Sequence, residues 1–377
     1  MHGGRNNSVV RPAPAIEAIA PMTPFIGPEQ LMRETGRSSL VRLGANESAF
    51  GPSPAAVAAM SAELERLWWY GDPDSYELRE ALARKHGVQV EELLVGAGID
   101  DLMGLVVRAF VAPGGAALTT SGSYPTFNYH VHGYGGRLVY AHYRADGQLD
   151  LDELVAVAKR EAASVVYLCN PDNPSGTFLH KDEMVRFLEA LPRDAVFLLD
   201  EAYADFVDED DLLPMHVEDR VVRTRTFSKA YGLAGARIGY AIATERVIGI
   251  LQKIRLHYGV NRNAQVGALA SLRDEPFRRW VVEAVAQARA DYRALARELG
   301  LNTIPSSTNF VCIDLGDAAR ATRVMHELLA QHGVWIRKPG LPPLDRYVRV
   351  SAGTPPMRAE FARAFREVVA AIPSVPA

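Results

Sequence analysis

The chain has 377 residues, 48% hydrophobic and 23% charged, with a net charge of −4. That length allows two or three domains, or one large and one small, and the composition is that of an ordinary globular protein with enough apolar side chains for a sizeable core. The slight acidity offers no broad basic surface to nucleic acid.

No window nears the roughly 18–20 uninterrupted apolar residues of a membrane span. The opening MHGGRNNSVVRPAPAIEAIAPMTPF has no apolar run of signal-peptide length. The two cysteines, Cys169 and Cys312, each sit inside an apolar stretch, which reads as buried thiols in a reducing compartment. A cytoplasmic protein is expected.

In chain order, prolines punctuate the first 25 residues, which reads as an extended arm. Residues 1–44 are assigned to this arm and to part of a smaller domain. SPAAVAAMSAELERL predicts a helix with Ser53 as N-cap and Pro54 at its first position. SYELREALARKHG predicts another, closed by Gly87, and IDDLMGLVVRAF follows Gly98 as a third. The runs GAALTT, GRLVYA, ASVVYLC, AVFLLD, VVRTRT and RIGYAIA are continuous rather than alternating, as in strands covered on both faces. Helical patterns such as LDLDELVAVAKREA and KDEMVRFLEAL separate several of them. The expected fold class is α/β, with a mainly parallel central sheet flanked by helices in a large domain over residues 45–275.

After residue 275 the pattern changes. Phe277, Val281, Val285, Ala288, Tyr292, Leu295 and Leu299 mark one face of a long helix. NFVCIDL, RVMHELLAQHG, VWIRK, YVRVS and MRAEFARAFREVVAAI then read as a smaller α+β domain over residues 276–377.

Three predicted strands end in reactive residues. VVYLC leads into Asn170 and NPDNPSG, AVFLL into Asp200-Glu-Ala-Tyr203, and VVRTRT into Phe227-Ser228-Lys229. In open α/β sheets ligands lie beyond the carboxyl ends of the strands, so Asn173, Asp200, Tyr203, Ser228 and Lys229 can converge. Only six of the 41 basic residues are lysines, and Lys229 is one of them. A lysine amine forms imines with aldehydes, whereas a guanidinium does not. An aspartate can pair with a protonated ring nitrogen, tyrosine and asparagine can bond a phenolic oxygen, and Ser228 with Arg237 can hold a phosphate. A ligand with an aldehyde, a pyridine nitrogen, a phenolic oxygen and a phosphate is pyridoxal phosphate.

Taken singly, each residue has a plainer meaning. Lys229 reads as a surface charge, Asp200 as a helix N-cap, Tyr203 and Phe127 as packing, and Asn173 as a turn residue. Their order and spacing carry the functional reading. GAGIDD imitates the start of a dinucleotide loop, but Asp101 occupies the last glycine position and would repel a pyrophosphate. His130, His132, Cys169 and His257 have no metal-ligand spacing, so no metal site is expected.

The segments ANESAFGPSP, PDSYELREALA, VGAGIDDLM, YPTF, NPDNPSG, DEAY, TFSKAYGLAGARIGY, VNRNAQ, SSTNF and VRVSAGT, in this order between about residues 40 and 356, resemble the fold-type I pyridoxal-phosphate aminotransferases of class I/II. Within these, the chain is similar to the histidinol-phosphate aminotransferase family. The resemblance implies an aspartate-aminotransferase-like fold and transfer of an amino group from histidinol phosphate, or a related aromatic or phosphorylated donor, to a 2-oxo acid such as 2-oxoglutarate. It implies that Lys229 binds the cofactor aldehyde and shuttles a proton, that Asp200 pairs with the pyridine nitrogen, and that Tyr203 and Asn173 bond the ring oxygen.

The resemblance further implies that Ser228, Arg237 and the backbone at Gly98 and Ile99 hold the phosphate, and that Phe127 stacks on the ring. Tyr70 would reach the phosphate of a neighbouring subunit, making the protein a homodimer. Arg349, Arg337 and Asn46 would meet the substrate. The chain departs from the family pattern at Ser48-Ala49 after Asn46-Glu47, in a segment that approaches the substrate, at Gly71 after Tyr70, at Ile99 beside the phosphate cradle, and at Asp172 and Gly259, but not at Lys229, Asp200, Tyr203 or Arg237. A lyase on the same scaffold, such as a decarboxylase of a phosphorylated amino acid, remains an alternative. So does a non-catalytic regulatory protein, although loss of Lys229 or Asp200 would be its mark.

Overall fold

A computed structural model describes residues 10–19, 26–215 and 218–373. Their strands, in chain order, are β1 (Val41–Arg42), β2 (Leu93–Gly96), β3 (Ala116–Thr120), β4 (Arg137–Ala141), β5 (Val165–Cys169), β6 (Val196–Asp200), β7 (Val221–Thr226), β8 (Gly239–Ile242), β9 (Phe310–Asp314), β10 (Val334–Trp335) and β11 (Tyr347–Ser351). Seven of them form one sheet in the order β2-β8-β7-β6-β5-β3-β4. Neighbours from β7 to β4 are parallel, while β8 runs antiparallel to both β7 and β2. The central sheet is therefore mainly parallel, with a single reversed strand.

Local signals explain the helices that frame it. Ser53 accepts from the N–H of Ala56 and so caps helix Pro54–Ala62. Gly87 closes helix Tyr76–His86 in the left-handed conformation. Helix Ile99–Phe110 buries Leu102, Met103, Leu105, Val106 and Val107 against the sheet, and its N-terminus directly follows Gly98. Strands β2, β3, β5, β7 and β8 are buried along their whole length, which is why their sequences do not alternate.

The register of the sheet sets up the site. Cys169 pairs with Asp200 and Asp200 with Thr224. On the other side of β7, Thr226 pairs with Gly239 and Gly239 with Gly96. The loops after β5, β6 and β7 thus leave one edge together. Because β8 is reversed, its entry carries Arg237 to that same edge, and the exit of β2 carries Gly98 there.

A second apolar core contains Leu43, Val311, Ile313, Val324, Leu328, Val348, Val350, Phe361 and Phe365. It is built around the antiparallel pair β9–β11 and the parallel pair β1–β10. Helix Glu275–Glu298 serves both cores: Val281, Val285 and Ala288 pack in the first, and Tyr292 and Leu295 in the second. Of the expected arm over residues 1–25, a large part lies outside the described residues; Pro14–Glu17 form a short helix beside helix Thr126–Gly133. No helix among the described residues is long and apolar enough to cross a membrane.

Candidate active site

Lys229 lies three residues beyond β7. Its Nζ donates to the backbone carbonyl of Asn46 at 3.0 Å and stands 5.6 Å from the centre of the Tyr203 ring. Burial, and after it the neighbouring Arg349 charge, push the amine down to about 8. About a fifth of it is therefore neutral near pH 7.4, against about a thousandth for an ordinary lysine.

Asp200 ends β6 and is 3% exposed. Its Oδ1 accepts from the N–H of Ala202 at 3.0 Å, and its Oδ2 from the Tyr167 hydroxyl at 2.9 Å. Among the described residues no cation forms an ion pair with it, and burial pushes its carboxyl up to about 7. This is a carboxylate prepared for a directly paired positive partner that the described residues do not supply.

One end of the site contains the two residues brought in by β2 and β8, Gly98 and Arg237. Gly98 has φ +86, which favours glycine, and a Cβ there would come within 2.6 Å of Arg237 Nη2 and displace the guanidinium from the start of helix Ile99–Phe110. Arg237 itself is left-handed at φ 57, a strained state for a bulky residue and one found mostly at functional sites. Its Nη2 lies 3.4 Å from Asp100 Oδ2, and Asp100 Oδ1 accepts from Tyr124. Ser228 is buried beside Thr226, whose hydroxyl donates to Ser228 Oγ and accepts from its N–H.

The other end of the site is built on the loop after β5. Both thiols brace it: Cys169 Sγ donates to the Pro171 carbonyl and Cys312 Sγ to that of Pro174. Asn173 at its apex accepts from Arg349 Nη1, and Arg349 Nη2 reaches the Gly44 carbonyl at 3.4 Å. Arg349 Nε is buried without a partner. Arg337 is the backbone bridge partner of Arg349 and donates to the carbonyl of Ile26.

Asn46, expected at the substrate, is a buried junction between the segments that carry Tyr203, Lys229 and Ser351. Its amide donates to the Tyr203 hydroxyl and accepts from Ser351, and its carbonyl takes both Lys229 and Asn309. It adopts φ 55 to do so, a conformation asparagine tolerates better than most residues. Phe127 is fully enclosed and stacks on Tyr167 with ring centres 4.9 Å apart. Tyr70 stands on the surface, 77% exposed, stacked on Tyr258 of the same chain. Sequence reasoning did not single out Tyr167, Tyr124, Asn309 or Ser351; they sit inside VVYLC, YPTF, SSTNF and VRVSAGT as ordinary strand or loop residues.

The residues fit pyridoxal phosphate. An amine with lowered proton affinity, a buried carboxyl lacking a cation, a glycine-lined approach between a guanidinium and a helix N-terminus, and an unsatisfied arginine Nε match the aldehyde, the ring nitrogen, the phosphate and a substrate anion in turn. This is the site of a pyridoxal-phosphate-dependent transaminase. The chain belongs to the aminotransferase class I and II family, whose model matches residues 38–365.

Within that family it is similar to histidinol-phosphate aminotransferases. It is 33% identical to the one from Moorella thermoacetica over 94% of this chain and 92% of that one. It is 36% identical to the one from Anaeromyxobacter sp. over 86% and 89%. The solved histidinol-phosphate aminotransferase from Sinorhizobium meliloti, in complex with pyridoxal-5'-phosphate, is 40% identical and superposes with a TM-score of 0.93 over 97% of this chain and all of that one.

Proposed function

We propose that this transaminase takes its amino group from histidinol phosphate, or a related aromatic or phosphorylated donor, and passes it to a 2-oxo acid such as 2-oxoglutarate. The observation that carries the reading is Arg349: its unpaired, buried Nε and its influence on Lys229 make an anion site next to the reactive amine. Arg337 adds a second positive charge beside it. The names of the relatives support the donor class.

Lys229 Nζ holds the cofactor aldehyde, and once freed it takes the proton from the donor Cα and returns a proton on the other side of the transfer. Its lowered proton affinity suits both tasks, since a general base works best near ambient pH. The hydrogen bond to the Asn46 carbonyl keeps the amine aimed. Pyridoxal phosphate, when bound, supplies an aldehyde that takes up the donor nitrogen and a ring that accepts electrons from the breaking Cα–H bond. Asp200 keeps a proton on the ring nitrogen. Tyr203 and Asn173 bond the ring oxygen, with Asn46 orienting the Tyr203 hydroxyl from behind. Ser228, Arg237 and the backbone N–H groups at Gly98 and Ile99 hold the phosphate at the positive end of the helix. Phe127 supports the ring, and Arg349 with Arg337 orients the donor anion.

The same reading divides the chain into an arm and part of the small domain through residue 44, a cofactor domain over 45–275 and the rest of the small domain over 276–377. The separate apolar core around β9 and β11 supports the division. It also makes the protein a cytoplasmic homodimer in which Tyr70 reaches the partner's cofactor phosphate. The strip of exposed Leu67, Trp68, Trp69, Tyr70, Leu256 and Tyr258 supports this, because patches of this kind mark interfaces. The test is a donor panel on the loaded enzyme, scored by oxo product: histidinol phosphate, histidinol, phenylalanine and tyrosine. Histidinol phosphate is expected to react fastest, and Arg349→Gln to raise its KM at least about tenfold, as loss of a charged hydrogen bond predicts. Equal rates for histidinol and its phosphate would remove the donor assignment.

A further inference from the structure

Tyr167 carries the one hydroxyl in the buried run VVYLC of β5. Cys169 is the residue paired with Asp200 across β5 and β6. Tyr167 lies two positions earlier, on the same face of the sheet, and its phenol reaches forward to place the hydroxyl 2.9 Å from Asp200 Oδ2. The ring has no freedom: it is fully enclosed and stacked on Phe127 at an interplanar angle of 15°. The other oxygen of Asp200 is held by the N–H of Ala202. Each carboxylate oxygen offers two acceptor positions, so two donors fix the plane of the group and still leave both oxygens able to accept one more proton donor. A phenol that donates to a carboxylate favours its charged form, and the charged form is the one that keeps a ring nitrogen protonated.

We propose that Tyr167 is a positioning residue for Asp200: its hydroxyl fixes the carboxylate plane and favours ionisation, and Phe127 locks the phenol by stacking on it. The inference rests on the assignment of Asp200 to the ring nitrogen made above. It gives Phe127 a task besides supporting the cofactor, and it explains a tyrosine in a strand where an apolar residue would pack as well.

The experiment uses full-length Tyr167→Phe, Asp200→Asn and the double variant. In the cofactor-free chain carrying carboxyl-labelled aspartate, the signal missing from Asp200→Asn identifies Asp200. Its titration midpoint is expected to rise by about one pH unit in Tyr167→Phe, a tenfold change in proton affinity. In the loaded enzyme, Tyr167→Phe is expected to lower the single-turnover rate at saturating donor about tenfold with little change in KM, and to add nothing in the Asp200→Asn background. A purely structural tyrosine would leave the midpoint in place and cause the same loss in both backgrounds; either result overturns the inference. An Asp200→Asn enzyme with parental turnover removes the role of Asp200 and this inference with it, whereas a crippled Asp200→Asn beside an unaffected Tyr167→Phe removes the inference alone. Should Tyr167→Phe fail to fold, Phe127→Leu carries the test: a smaller upward shift of the same midpoint supports the stack, and no shift overturns it.

Discussion

Asp200→Asn is expected to stabilise the cofactor-free protein at alkaline pH while disabling it. Burial holds the Asp200 carboxyl at about 7 against an ordinary value of 3.8. Below the ordinary value the group is protonated in both folded and unfolded chains and contributes no pH dependence. As pH rises from there towards 7, the unfolded chain releases the proton while the folded chain retains it, so folding stability falls. At about 1.4 kcal/mol per pH unit the full loss is about 4 kcal/mol, complete once pH passes the folded value. Asparagine has no such loss, and imperfect hydrogen bonding of its amide to Ala202 and Tyr167 costs about 1 kcal/mol of the gain. Urea unfolding of both cofactor-free chains at about pH 4.5 and about pH 8.5 measures this, and the parent is expected to lose about 3 kcal/mol relative to the variant between the two. Loading the parent with pyridoxal phosphate is expected to abolish that loss, because a protonated ring nitrogen pairs with the ionised carboxylate. A gap between variant and parent that stays constant with pH refutes the reasoning.

Attachment of pyridoxal phosphate to the cofactor-free chain is expected to quicken with pH around a midpoint of about 8, followed by stopped-flow absorbance; a midpoint at the ordinary lysine value of 10.5 contradicts the lowered proton affinity of Lys229. Gly98→Ala would force a Cβ against Arg237 at a positive φ, and strain of about 1–3 kcal/mol predicts cofactor affinity weakened at least about fivefold with the fold retained; unchanged affinity in equilibrium binding argues against the cradle. Trp68→Glu places a charge in the exposed aromatic strip and is expected to convert a dimer to monomers in sedimentation and to lower activity with it; an unaltered sedimentation profile together with full activity counts against the shared site.

The chemistry of the strand ends was legible because few residue types can do it. Lys229, Asp200 and Asn173 each follow a run of buried strand residues, and the register of β5, β6 and β7 brings the ends of those runs to one edge. Strand direction was less legible. RIGYAIA is as apolar as its parallel neighbours, so its pattern says that β8 is buried but not that it is reversed. The reversal delivers Arg237 to the edge where the loops after β5, β6 and β7 meet. LLVG was too short to separate from the helix signals around it, yet as β2 it positions Gly98. The long helix after residue 275 showed its apolar stripe clearly, but a stripe does not record which core it faces, and this one faces two. Asn46 and Tyr167 were hardest to read. Their hydrogen bonds are long-range: those of Asn46 with Tyr203 and Ser351 join segments separated by 157 and 305 positions, and that of Tyr167 with Asp200 spans 33.

The central claim is that Lys229 is the amine that holds the cofactor. Borohydride reduction of the loaded protein, followed by proteolysis and mass mapping, tests it directly. The account predicts a reduced pyridoxyl adduct on the peptide containing TFSKAYGLAGAR, at Lys229 and at none of the other five lysines. An adduct elsewhere, or none on a protein that turns over amino donors, would contradict it.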